Sequence, residues 1–346
     1  MLRLAATPIV AEQRGTLNRS LCPLHRSPSF GAPLPNLRNC LLGSPRNPLR
    51  RAGQYCHAVA VKAALEAILG PVEHLEVVKR GYTHIERVVA TLGDGRSVFA
   101  KRAVDETTAT WLRQEHMMYE ALRNEAFVPK VVGWADSDLP ILLLEDLSDA
   151  IWPPPWDSAQ IGAVLSALDE LARCRAPEGL PRLPDGEQPG EGWHRVLTDP
   201  SEFLSVGLCD ADWLDHAGPV LRAAAAAATL TGESVVHCDI RSDNICFRLG
   251  SALLVDWNLA RIGNPEFDVA FWLPSLAAEN GPLPEDVAPR CTAELAAYVA
   301  GFFACRAGQA EIPVAPLVRQ AQRQQLRTAL PWAARALDLP PPAALV

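Results

Sequence analysis

Apolar positions fall into short, alternating runs in the first half of the chain and recur at helical spacing in the second. Residues 58–69 (AVAVKAALEAIL) read as a short helix closed by Gly70-Pro71, a pair that ends helices because glycine accepts the left-handed conformation and proline lacks a donor. Runs at 75–79, 85–92 and 97–103 read as strands, the last two joined by Gly93-Asp94-Gly95, a hairpin signal. A helix at about 108–123 (TATWLRQEHMMYEALR) follows, then strands at 131–135 and 141–145. Three strands, a helix and two strands build one small antiparallel sheet carrying one helix.

After Glu145-Asp146-Leu147 the pattern turns helical. An amphipathic helix at 159–174 leads into a loop at 175–191 rich in proline, glycine and acids, and helices are expected at 211–228 and near 286–306 and 315–337. There is no internal repeat. The expected fold is α+β in two lobes: an N-lobe over 57–147 built on the sheet, and a larger, mostly helical C-lobe over 148–346. Residues 1–56 form a leader outside both.

Composition separates leader from body. Of the net charge of −8, residues 1–55 contribute eight Arg and one acid, Glu12, leaving 24 basic and 39 acidic side chains from residue 56 onward, a net of −15. Such a body repels nucleic acid and anionic membrane and attracts a cationic small molecule to any acidic cleft. The leader is Arg- and Ser-rich and acid-poor, like an organellar transit peptide; an upstream extension absent from the mature protein is the other reading. The apolar run 295–305 has eleven residues, short of the ~20 needed to span a bilayer. Nine cysteines, with no Cys-x-x-Cys pair, argue against a disulfide framework and a zinc site. A cytoplasmic protein is expected, with organellar import if the leader is a true transit peptide.

Chemistry concentrates in Val235-Val236-His237-Cys238-Asp239-Ile240-Arg241-Ser242-Asp243-Asn244 and Leu253-Leu254-Val255-Asp256-Trp257-Asn258. An Asp, an Asn five residues on and an Asp twelve beyond that, among strand-like runs, match the needs of phosphoryl transfer. Asp239 would accept the proton of an attacking hydroxyl. Asn244 and Asp256 would offer hard oxygen ligands to Mg²⁺.

These residues resemble the aminoglycoside phosphotransferase family, the small-molecule branch of the protein-kinase-like fold that includes choline-kinase-like enzymes. His237, Asp239 and Asn244 match every fixed position of its His-x-Asp-x-x-x-x-Asn loop, and Asp256 falls at its second metal-binding Asp. The resemblance covers about 71–346, with its specific part at 235–272. It implies ATP and two Mg²⁺ ions, His237 shaping the catalytic loop, and Asp268 bracing it. It further implies Lys101 on the α/β-phosphates, paired with Glu115 or, failing that, Glu120. Nucleotide contacts are expected from Gly81 and Thr83, and adenine contacts from the Glu145 carbonyl and the Leu147 amide. Asn258 stands where related kinases have glycine, and is expected to take positive φ. Arg241 is expected to meet charge on the transferred group.

The implied activity is transfer of the γ-phosphate to a hydroxyl of an aminoglycoside-, choline- or amino-sugar-like molecule, with no nucleic-acid or membrane partner. Asp243, Asp185, Glu187 and Glu191 are candidate acids facing such a cation, and Trp193 and Trp272 candidate platforms for it. A non-catalytic nucleotide-binding protein of the same fold is the alternative. A protein kinase fits less well, because about nine residues separate Asp256 from Pro265 and no Ala-Pro-Glu follows.

Overall fold

The computed structural model describes residues 61–78, 81, 84–186, 188–313, 315 and 317–342. The leader, Lys79, Thr83 and Glu187 lie outside the described residues. A helical run at 61–69 (α1) precedes strands β1 (Val72–Val77), β2 (Glu86–Leu92) and β3 (Ser97–Arg102). Helix α2 (Glu106–Ala121) and strands β4 (Val131–Ala135) and β5 (Ile141–Glu145) complete an antiparallel sheet in the order β1-β2-β3-β5-β4. The expected antiparallel sheet carrying one helix, the β part of an α+β fold, is the one observed.

Alternation along β2 and β3 gives the sheet its two faces. Val88, Ala90, Val98 and Ala100 point to one side and form a core with Val61 and Leu65 of α1. Arg87 and Val89 share the other side with their cross-strand partners Lys101 and Phe99. That second face looks toward the rest of the molecule. Strand β1 begins three residues earlier than its apolar signal at Leu75, because pairing runs from Val72 opposite Leu92 to Val77 opposite Val88. Helix α2 begins at Glu106 because Asp105 caps it, its carboxylate accepting from the Thr108 amide at 2.8 Å in a capping box.

The helical part contains α3 (Ser158–Arg173), α4 (Glu191–Thr198), α5 (Ser201–Leu204), α6 (Ala211–Ala227), α7 (Glu266–Ala278), α8 (Pro284–Val287), α9 (Ala293–Ala307) and α10 (Leu317–Ala336). Helix α9 carries the eleven-residue apolar run and is buried on nearly every side, as a helix hydrophobic all round must be. It packs against α10, α6 and α4. The α4 crossing is close: a Cβ on Gly192 would stand 2.4 Å from the Gly301 carbonyl oxygen. The single helix expected near 286–306 is two pieces, interrupted around Pro289, with Thr292 capping the second. No helix among the described residues is long and apolar enough to cross a membrane.

Two small two-stranded sheets frame the motif. Strand β6 (Ser234–Val236) pairs with β9 (Arg261–Gly263), and β7 (Ile245–Arg248) with β8 (Ser251–Leu254). The segments 237–244 and 255–260 are the loops between them.

Candidate active site

The loop after β6 is held from outside by one carboxylate. Asp268, on the first turn of α7, accepts from the His237 amide at 2.6 Å and the Cys238 amide at 2.7 Å. Cys238 has φ +67°, a conformation a side-chain-bearing residue keeps only when its surroundings impose it. Burial pushes the Asp268 carboxyl up to about 7 and the two amide donors oppose the shift.

His237 is fully enclosed beside Trp257, and burial pushes its imidazole down to about 4, so the ring is neutral. Its Nε2 donates to the Val255 carbonyl at 2.9 Å, and Nδ1 accepts from the Asp239 amide at 3.3 Å. Both nitrogens are thereby used in joining the two loops.

Asp239 projects from this scaffold. Burial raises its carboxyl to about 6, against the lowering influence of Arg241. Asn244 donates through Nδ2 to the Asp239 backbone carbonyl at 2.8 Å and to its Oδ2 at 2.9 Å. Both partners are acceptors, which fixes the amide with its Oδ1 turned away from Asp239. Arg241 sits between two carboxylates, with Nε 3.3 Å from Asp239 Oδ1 and 3.0 Å from Asp243 Oδ1.

Asp256 follows β8 with φ +71°. The positive φ expected at Asn258 thus falls on Asp256 instead, while Asn258 enters a 3₁₀ turn spanning Trp257–Leu259. Lys101 Nζ donates to Asp256 Oδ1 at 2.9 Å and to Glu115 Oε1 at 2.6 Å, so β3, α2 and the loop after β8 meet at one ammonium. Burial raises the Glu115 carboxyl. Burial opposes ionisation of Asp256 too, but Lys101 and Arg87 outweigh it and hold that carboxyl well below the usual range. Glu120, the fallback partner, lies near His116 and Arg123 instead.

A cleft of about 320 Å³ lies between these groups and the inner face of the sheet. Val89, Phe99 and Leu144 form its apolar wall, and Glu145 and Leu147 its edge. Glu145 commits its side chain elsewhere, accepting from the Lys130 amide at 2.8 Å and from Arg248 at 2.7 Å. Gly81, Lys101, Asn244 and Asp256 close the polar end. On the other side of Asp239 a second cavity, about 70 Å³, opens among α2, α7, α9 and α10.

A model of the phosphotransferase enzyme family matches residues 78–308, well over half of the chain. The chain belongs to the phosphotransferase enzyme family. A search of curated proteins found no match. Solved structures similar to it include a choline kinase from Streptococcus pneumoniae, at 13% identity and TM-score 0.54, covering 81% of this chain and 99% of that one. An aminoglycoside phosphotransferase from Alicyclobacillus acidocaldarius matches at 16% identity and TM-score 0.53, covering 77% and 91%. A thermostable mutant aminoglycoside phosphotransferase solved with ADP and hygromycin B matches at 17% and 0.52, covering 81% and 98%. These likenesses establish the fold, and the family match makes the chain a member of the phosphotransferase enzymes.

This phosphotransferase departs from expectation in its acceptor region. Trp193 is buried in the core, donating to the Ala297 carbonyl at 2.8 Å, and Trp272 is equally enclosed next to Trp156, so neither is a platform. Asp185 is paired with Arg261 at 2.8 Å and Glu191 with Arg195 at 3.5 Å, and neither lines the cavity beside Asp239.

Two parts of the phosphotransferase site were not expected. Arg87 stands opposite Lys101 in register, is nearly buried, and lines the cleft; a Cβ on Gly81 would come within 2.8 Å of its Cζ. Gly81, at φ +107°, is thus required both by its backbone and by this guanidinium. The available signal was an Arg at the cleft-facing phase of an apolar strand. The second part is α10, whose Gln322 and Gln325 line the cavity beside Asp239. Its signal was composition: four Arg, four Gln and no acid over Leu317–Ala336.

Proposed function

We propose that this chain transfers the γ-phosphoryl group of Mg-bound ATP to a hydroxyl of a small molecule, with Asp239 accepting the hydroxyl proton. The observation that carries the reading is the convergence of Asp239, Asn244, Asp256 and Lys101 across three separate elements at hydrogen-bond distances.

The residues fit the metal. Mg²⁺ keeps waters and substrate phosphates among its ligands and asks for only one or two protein oxygens. The Asn244 Oδ1, freed by the amide's orientation, and the Asp256 carboxylate, kept ionised by Lys101 and Arg87, supply hard oxygens. Such a pair needs no cluster of three His, Cys, Asp or Glu, and none occurs among the described residues. When bound, Mg²⁺ neutralises charge on the β- and γ-phosphates.

The protein's own groups account for the rest. Lys101 and Arg87 would hold phosphate oxygens, and Val89, Phe99 and Leu144 would sandwich the base beside the Glu145 and Leu147 backbone. The acceptor oxygen bonds to phosphorus as its O–H proton passes to Asp239 Oδ, the bond to the β-phosphate oxygen breaks, and ADP leaves. The test is ADP release that requires both an added alcohol and Mg²⁺; release independent of acceptor would reject it.

Arg87→Met should raise the KM for ATP about tenfold or more with a smaller change in kcat, since one charge-assisted phosphate contact disappears. An unchanged KM would make Arg87 a prop for Gly81. Arg241 acts on both partners of the transfer. Asp239 accepts a proton only when ionised, so kcat should fall as pH drops through about 6. Arg241 lowers that value, so Arg241→Ala should move the acid limb upward and also cut kcat by roughly 10²-fold, as loss of a transition-state donor does. A pH–rate profile with limb and plateau both unmoved would leave Arg241 as a partner of Asp243 alone.

A further inference from the structure

The cavity beside Asp239 carries information about the acceptor, given the phosphoryl-transfer reading on which this inference rests. At about 70 Å³ it has room for about two waters, the size of one hydroxyl-bearing end of a molecule. Its walls are aromatic and aliphatic, with Trp111 from α2, Phe271 from α7 and Phe303 from α9. Its only carboxylates are Asp239 and Asp256, both engaged in the transfer itself.

Gln322, 5% exposed, faces this cavity from α10. Its Oε1 accepts from Arg319 Nη1 at 2.8 Å. Arginine only donates, so the other end of the amide must be Nε2, and among the described residues this nitrogen makes no hydrogen bond. That nitrogen is left to donate to an oxygen of the bound acceptor. Behind Gln322, Arg319 also grips Gln309, and burial and Arg306 depress its protonation against the opposing influence of Glu202. Within the cavity an ammonium would meet Arg241 and no carboxylate beyond the two used in the transfer. An anion would meet Asp239 and Asp256.

We propose that the acceptor is an uncharged alcohol of the neutral sugar or polyol kind. Its apolar face lies against Trp111, Phe271 and Phe303, and one of its oxygens accepts a hydrogen bond from Gln322 Nε2. This reverses the expectation of a cationic acceptor drawn from the body's net charge. Asp185 and Glu191, two of the acids behind that expectation, are paired with arginines and do not line this cavity.

The test uses acceptors matched in shape and differing in charge: glucose against glucosamine, and choline against its uncharged carbon isostere. ADP release by the wild-type chain should give the neutral members the higher kcat/KM by about tenfold or more. Gln322→Leu should raise the KM for the neutral acceptor about tenfold, the scale of one lost hydrogen bond, with the KM for ATP unchanged. Gln322→Glu should move preference toward the amines. Amine members winning in the wild type would overturn this inference and leave phosphoryl transfer standing. No turnover of any member, with Mg-ATP still raising the melting temperature, would reject both. An unchanged acceptor KM in Gln322→Leu would overturn the assigned contact.

Discussion

Asp239→Asn is expected to lower kcat by about 10³-fold while leaving Mg-ATP binding nearly intact, within the range a positioned proton acceptor contributes. Asparagine keeps the shape and can still offer an oxygen to Asn244 Nδ2, now 2.9 Å from Asp239 Oδ2, so the loop has no reason to rearrange. Arg241 retains Asp243 at 3.0 Å as an ionic partner. What disappears is an acceptor for the proton. Steady-state turnover beside a melting shift with Mg-ATP measures both halves; a retained kcat would put the proton acceptor elsewhere.

The second large effect belongs to Asp256→Ala. Mg-ATP at about a hundred times its Kd should stabilise the wild type by about 2.7 kcal/mol, and the variant should lose most of that gain. The unliganded protein should tolerate the change. Lys101 keeps Glu115 at 2.6 Å, and Glu115 loses a carboxylate neighbour that disfavours its ionisation. Differential scanning with and without Mg-ATP reads the result, and an undiminished shift would remove Asp256 from the nucleotide site. Together the two variants separate an enzyme from a binding protein. A nucleotide-binding scaffold would respond to Asp256→Ala and be indifferent to Asp239→Asn.

The sheet was legible because each strand is short, alternating and bounded by turn residues such as Gly93-Asp94-Gly95. The β1 displacement has a physical origin: apolar content pointed to Leu75 and Val77, whereas pairing with β2 draws the strand back to Val72. Helix α7 escaped because it is apolar on all sides and holds Pro274, which leaves no helical period to read. The core of the candidate site was visible because His237, Asp239 and Asn244 occupy one loop, where spacing along the chain and distance in space are nearly the same thing. Arg87, Trp111 and Gln322 were hidden because their positions depend on strand register and on how α2 and α10 pack. The misplaced positive φ has a similar cause. Residue type marked Asn258 as permissive, while the turn after β8 puts the left-handed residue two positions earlier, at Asp256.

Helix α2 presents Glu115 to Lys101 and, one turn earlier, Trp111 to the cavity beside Asp239. One rigid element therefore forms a wall for each of the two substrates. A displacement of α2 would move the walls of both sites together, and any coupling it carries between the two occupancies is reciprocal. By reciprocity, the factor by which nucleotide tightens acceptor binding equals the factor by which acceptor tightens nucleotide binding. The two substrate sites of the phosphotransferase thus share one support, and a change that tilts this helix is felt at both.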